Sequence, residues 1–326
     1  PLKGRMVKKK KENIMWALLV HLGYRMWGDA KKGTVLPDRL FCDDTTWRRV
    51  IDRMAEVGMN TAVVDVGEGI VLPSHPELAV KGSWTPEKAA DEIAYMKSCG
   101  IEAIPKLNFS TLHDAWLGEV QYEISTPRYY ATCADVIRDV AEIFGRPRLF
   151  HIGMDEESDT GLQRNYDLMI VRQRELFWHD IGFLADEVEK HGARAWMFGD
   201  DAWFRREAFY ANFQKRILLS NWFYGRSFRV AEKPWHPPRM NSYREFDEHG
   251  FDQVPTATNW YPGYLYEDKG IRSNDVNFPL TVAHCRRVIA PQRLKGFMMT
   301  TWKKTLPENF DFISHAIDLV GQSMII

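Results

Sequence analysis

The sequence predicts an α/β chain closed into a single (β/α)8 TIM barrel, and three observations carry that expectation. Short apolar runs alternate with amphipathic segments about eight times, the pattern of a parallel sheet with crossover helices. Gly58, Gly100, Gly145 and Gly192 each close a helical pattern just before the next apolar run, where a left-handed C-terminal cap belongs. The 326 residues match the usual ~250 of such a barrel plus insertions, and no Pro/Gly/Ser-rich linker divides them.

The elements follow in order. Residues 1–12, P-L-K-G-R-M-V-K-K-K-K-E, form a basic tail and contain the only low-complexity run; residues 13–326 form the barrel domain. Strands are expected at 15–23, 61–66, 102–109, 149–155, 193–199, 217–223, 253–260 and 294–302. Helical patterns fall at 45–57, 86–98, 127–144, 167–191, 243–249, 280–289 and 309–320, and the stretch after Asp201 has no clear period. The apolar stretch Met15 to Val20 is broken at once by His21, so neither a signal peptide nor a membrane span is expected. A chain that starts at Pro1 is compatible with a processed periplasmic or secreted form.

Composition narrows the function classes. At 45% hydrophobic and 13% aromatic the chain can bury a large core. Its 43 Lys+Arg against 44 Asp+Glu leave a formal net charge of -1, which argues against a broad nucleic-acid footprint and for small or neutral ligands. Cys42, Cys99, Cys133 and Cys285 are widely spaced, with no C-x-x-C pair, so neither a zinc ribbon nor a dense disulfide framework is supported. No G-x-G-x-x-G follows the first strand, and no H-x-H or H-E-x-x-H occurs; no cofactor or metal is expected.

The segment L-F-H-I-G-M-D-E-E-S at 149–158 sets adjacent carboxylates at the end of an apolar run. Barrel chemistry sits at the carboxyl ends of the strands, so Asp155 and Glu156 are placed where acid catalysis needs them. Neighbouring strand residues point to opposite faces, and the two can serve one site only if the backbone leaves the sheet there. Two adjacent carboxylates also disfavour simultaneous ionisation, which helps keep one protonated. Six tryptophans, Trp27, Trp116, Trp203, Trp222, Trp260 and Trp302, fall at or just past predicted strand ends, mixed with Arg25, Asn108, His113, Asp200, Asn221 and Asn259. Aromatic faces beside paired polar groups suit a sugar, whose C–H faces stack on rings while its hydroxyls require partners.

The H-I-G-M-D-E segment resembles the H-x-G-G-D-E signature of glycoside hydrolase family 20, the β-N-acetylhexosaminidases, which carry it at the end of the fourth barrel strand. Ala103-Ile104-Pro105 followed by His113 is similar to the family's I-P-E…P-G-H segment, Arg25 to its sugar-binding arginine, and Trp302 to its terminal pocket tryptophan. Met154 departs from the signature's second glycine, and Lys106 stands where the family has an acid. The resemblance implies that Glu156 is the general acid and that Asp155 orients and stabilises the substrate's 2-acetamido group as it attacks the anomeric carbon, the substrate-assisted variant of glycoside hydrolysis. His151 is then expected to orient or hydrogen-bond a carboxylate, Tyr261 or Tyr264 to donate to the acetamide oxygen, and Trp203, Trp260 and Trp302 to wall the pocket. Two alternatives stand beside this: an ordinary carboxylate pair of Glu156 with Asp200 or Asp201, and a carbohydrate-binding barrel without turnover. Lys106 at the third strand's end suggests in addition an acidic substituent on the sugar.

Overall fold

A computed structural model of the chain describes residues 14–26, 38–157, 172, 174–231, 233–261 and 273–326. Eight parallel strands run β1 (Met15–His21), β2 (Thr61–Asp65), β3 (Glu102–Lys106), β4 (Leu149–His151), β5 (Arg194–Phe198), β6 (Leu218–Ser220), β7 (Thr256–Thr258) and β8 (Gly296–Thr300). They pair in the order β6-β5-β4-β3-β2-β1-β8-β7. The circle is completed by bridges from Leu219 to Gln253 and from Trp222 to Thr256, where the N–H groups of Val254 and Thr256 donate to Leu219 and Asn221. The chain is a (β/α)8 barrel.

The helices described are α1 (Asp44–Val57), α2 (Pro86–Ser98), α3 (Pro127–Ile143), α4 (Glu175–Lys190), α5 (Arg206–Asn212), α6 (His236–Glu248), α7 (Asn277–Val288) and α8 (Phe310–Ser323). Local chemistry starts the early ones: Asp43, Thr85 and Thr126 each accept an N–H of the first turn, and Pro86 and Pro127 occupy first helical positions that need no donor. The four capping glycines read from the sequence all sit at positive φ, 86°, 77°, 69° and 84° in chain order. Among the described residues no helix is long and apolar enough to cross a membrane, and the four cysteines are free thiols.

Where expectation and structure differ, the cause is local. β4 ends at His151 rather than Asp155, because Gly153, Met154 and Glu156 all take positive φ (74°, 68° and 61°) and carry the chain out of the sheet. α5 and the first turns of α6 have no counterpart in the sequence reading; seven residues are too few to show a helical period, and Pro237 and Pro238 read as a loop although the first turn of a helix tolerates them. The basic tail, Trp27, Tyr264 and residues 167–171 lie outside the described residues.

Register explains what fills the barrel beneath the mouth. His21, Asp65, Lys106, His151 and Trp196 are aligned partner to partner across β1 to β5, so their side chains share one interior layer. Lys106 Nζ donates to Asp65 Oδ2 at 2.6 Å, and His21 Nδ1 lies 3.4 Å from the same oxygen. Burial works to raise the Asp65 pKa, but Lys106 and then His21 outweigh it and lower it to about 2. Lys106 is thus fully buried and neutralised, which corrects the expectation that it meets a substrate anion.

Candidate active site

The carboxyl ends of eight parallel strands share one mouth, and the residues that follow β1, β3, β4, β5, β6 and β8 converge there. The loop after β4 is fixed from three sides. Asn108 Nδ2, just past β3, donates to Asp155 Oδ1 at 2.8 Å, and Ser110 Oγ donates to the Asp155 carbonyl at 2.5 Å. The Glu156 N–H donates to Asp200 Oδ2 at 2.8 Å. Glu157 accepts from the Thr111 N–H at 2.8 Å and from the fully buried Arg172 at 2.5 Å; Arg172 also binds Asp180, the Phe109 carbonyl and Tyr129. Gly153 is required here: a Cβ at that position would lie 1.9 Å from Asn108 Oδ1. Met154 occupies a left-handed position that a glycine would adopt without strain, which is the physical content of that departure from the signature.

The backbone therefore turns both acids toward the mouth, and a histidine joins them. His113 Nε2 lies 3.3 Å from Asp155 Oδ2 and 3.2 Å from Glu156 Oε2. Burial alone opposes charge on His113, but Asp155 and then Glu156 outweigh it and raise the imidazole to about 10. Burial likewise works to raise Asp155, yet His113, Lys106 and the Asn108 hydrogen bond hold it well below the usual carboxylate range. The side chain of Asp155 is enclosed while that of Glu156 is 43% exposed, so one carboxylate is a fixed charge and the other faces the cleft.

His113, Asp155 and Glu156 offer ligand-type atoms within 4.8 Å of one another. A metal there would need the neutral imidazole, and would compete with the proton that the two carboxylates favour on His113.

The carboxyl pushed upward is a different one. Burial, with repulsion from Asp155, raises Asp200 to about 8 although the Glu156 N–H works the other way. Asp200 Oδ1 has no hydrogen-bond partner among the described residues. Asp201 is raised to about 6 by burial against the pull of Arg205, which it binds through two nitrogens. The folded pKa of Asp200 exceeds its ordinary 3.8, so between these values the folded chain keeps a proton that the unfolded chain has lost, and stability falls as pH rises across that window. Asp200→Asn, which preserves the acceptor for Glu156, should remove that fall. Melting temperatures at pH 5 and pH 8 should converge by roughly 5 °C relative to the parent; an unchanged gap would contradict the assignment.

His151 departs from its expected role. Its Nδ1 accepts the Gly153 N–H at 3.0 Å, its ring packs 4.9 Å from Trp196 and 4.7 Å from Phe198, and burial, aided by Lys106, pushes it down to about 3. It is a neutral pin for the loop and makes no hydrogen bond to a carboxylate among the described residues. The Arg25 N–H donates to Glu68, and Arg25 Nε is buried without a hydrogen-bond partner among the described residues.

Trp203, Trp222 and Trp302 follow β5, β6 and β8, with Trp222 and Trp302 packed on the barrel's inner cluster. Trp203 and Trp222 meet edge to face at 4.6 Å, and the Trp302 carbonyl accepts from Tyr24 at 2.9 Å. Trp260 follows β7, half-buried, its N–H on Thr258. The Tyr261 ring carries Arg226 at 5.9 Å.

Sequence reasoning passed over Tyr224, whose phenol interacts with Thr300 and Trp302 within the field of Asp155 and Glu156; burial raises its pKa, so it is a donor at neutral pH. It gave Asn108 no role beyond a polar residue at a strand end, and it passed over Arg239. Asn108 was legible as the first polar residue past the third strand, whereas Arg239 lies where no period could be read.

No family model matches the sequence, and no curated protein does. Solved structures share the fold. A GH20 exo-β-N-acetylglucosaminidase from Vibrio harveyi in complex with N-acetylglucosamine superposes with a TM-score of 0.62 at 16% identity, over 95% of this chain and 54% of that one. A mutant Streptomyces plicatus β-hexosaminidase in complex with its product gives 0.64 at 13%, over 96% and 64%. The chitobiase of Flavobacterium johnsoniae gives 0.59 at 20%, over 86% and 46%. The chain spans about half to two thirds of the length of these proteins, and its barrel is similar to those of GH20 β-N-acetylhexosaminidases.

Proposed function

We propose that the protein is a glycoside hydrolase that cleaves N-acetylhexosamine glycosides with retention, using the substrate's own acetamido group as nucleophile. The observation that carries this reading is the unlike state of two adjacent carboxylates. Asp155 is enclosed and held ionised by His113 and Asn108, as needed to stabilise the positive charge of a forming oxazolinium ring. Glu156 faces the cleft, where it can deliver a proton to the departing oxygen. Trp203, Trp222 and Trp302 offer aromatic surfaces, and among the described residues Tyr224 is a phenol within the field of both acids.

The pairing of Glu156 with Asp200 or Asp201 is less well supported. Burial and Asp155 push the Asp200 carboxyl up to about 8 and the Glu156 N–H engages it, which disfavours it as a base or nucleophile, and Asp201 is committed to Arg205. Proton NMR of an aryl N-acetyl-β-glucosaminide during hydrolysis tests the proposal. The β-anomer of the free sugar should appear first and then mutarotate. First release of the α-anomer would exclude retention, and no turnover would favour a binding barrel.

A further inference from the structure

Lys106, the cation that stands out in the sequence, is neutralised inside the barrel by Asp65. Another cation faces the mouth. Arg239, in the first turn of α6, holds its guanidinium carbon 4.3 Å from the ring centroid of Trp203 and 4.8 Å from that of Trp222. The corner it occupies is built into the fold. Asn221, fully buried just past β6, accepts the Trp203 indole N–H at 3.0 Å and donates its Nδ2 to the Arg239 carbonyl at 2.7 Å.

The two rings meet at 69°, so the guanidinium packs against both aromatic surfaces without lying flat on both, and a guanidinium held this way carries N–H donors suited to an oxyanion. The Arg239 guanidinium makes no hydrogen bond or ion pair with any described residue. Glu156 and Asp200 act on it at longer range, and neither makes an ion pair with it. Glu156 lies against His113, and the Asp200 carboxyl, pushed up to about 8 by burial and by Asp155, is engaged by the Glu156 N–H. Among the described residues the half-buried donors thus lack the partner that such groups ordinarily have.

We propose that the cleft is made for an anionic glycoside: Arg239, held against the rings of Trp203 and Trp222, receives a carboxylate, sulfate or phosphate carried by the substrate close to the bond that Glu156 protonates. This rests on the glycosidase reading for the position of that bond; the anion site itself rests on the Trp203, Trp222 and Asn221 frame.

The test compares kcat/KM for 4-nitrophenyl N-acetyl-β-glucosaminide with its 6-sulfate, its 6-phosphate and an analogue bearing a carboxylate on the aglycone. At least one acidic member should exceed the neutral one by about 10-fold, the effect of a charge-assisted hydrogen-bond pair. Arg239→Gln should bring that ratio to about one, and Arg239→Lys should keep only part of it, because the charge survives without the fork. Turnover of the neutral glycoside at a rate equal to or above every acidic one overturns the anion site and leaves the glycosidase reading standing. An acidic preference unchanged in Arg239→Gln also overturns it. If no glycoside turns over, the glycosidase reading fails, and tryptophan fluorescence decides the anion site. Saturable quenching by N-acetylglucosamine 6-sulfate but not by N-acetylglucosamine, lost in the variants, supports it; equal or absent quenching overturns it. Should Arg239→Gln not fold, Arg239→Lys carries the same comparison.

Discussion

Glu156→Gln should lower kcat by at least ~10²-fold on N-acetylhexosaminides with poor leaving groups, the ordinary worth of general acid catalysis, and much less on activated aryl glycosides. Glutamine keeps the shape of the side chain and the backbone N–H that Asp200 receives, so the loop geometry is retained. What it removes is the dissociable proton. A departing alkoxide needs that proton and a stabilised phenolate hardly does, which makes the leaving-group dependence the diagnostic. The side chain is 43% exposed and, among the described residues, makes its close polar contact with His113, so the melting temperature should move little. Equal losses on both leaving-group classes would remove Glu156 from the role of proton donor.

Asp155→Asn should be as damaging for a different reason, and it should also affect folding. The carboxylate is the principal counter-charge of His113 and accepts from Asn108 inside an enclosed site. Without it the imidazolium loses its main partner; breaking such a buried pair typically costs about 3–5 kcal/mol, less where the histidine can discharge. The pKa of His113, read by NMR, should therefore fall from its raised position toward or below neutrality. Turnover should drop by about 10²–10³-fold, the scale of losing one pre-set electrostatic group at the reacting centre. The two variants separate cleanly: good leaving groups rescue Glu156→Gln and leave Asp155→Asn impaired. If Asp155→Asn lost nothing beyond its unfolded fraction, Asp155 would be a structural acid only.

What could be read from the sequence follows from which forces are local. β4 and its acids were legible because an apolar run, a glycine and a carboxylate cluster lie within ten consecutive residues. That the two acids share one site depended on the chain leaving the sheet after His151, a condition stated by strand geometry and met by the positive-φ residues at 153, 154 and 156. Lys106 was misread because its partner, Asp65, is adjacent only through the β2–β3 register, 41 residues away in sequence. His151 looked like a carboxylate ligand until the bend after β4 brought the Gly153 N–H onto its ring. Arg239 was invisible for another reason: α6 begins with two prolines, and the value of that arginine lies in tryptophans from two other loops. Pairings across the barrel and positions set by tertiary packing are the part a single sequence does not display.

The central claim is that the enclosed charge of Asp155 serves an acetamido nucleophile, and the affinity of a thiazoline analogue of N-acetylglucosamine measures it most directly. Its fused ring has the shape of the cyclised intermediate, and a site complementary to that state should favour it over the parent sugar by at least ~10²-fold. Competition against turnover of a chromogenic N-acetylglucosaminide gives both constants in one experiment. The preference should persist in Glu156→Gln and collapse in Asp155→Asn. No preference for the thiazoline, together with hydrolysis of glycosides lacking the 2-acetamido group, would contradict the account.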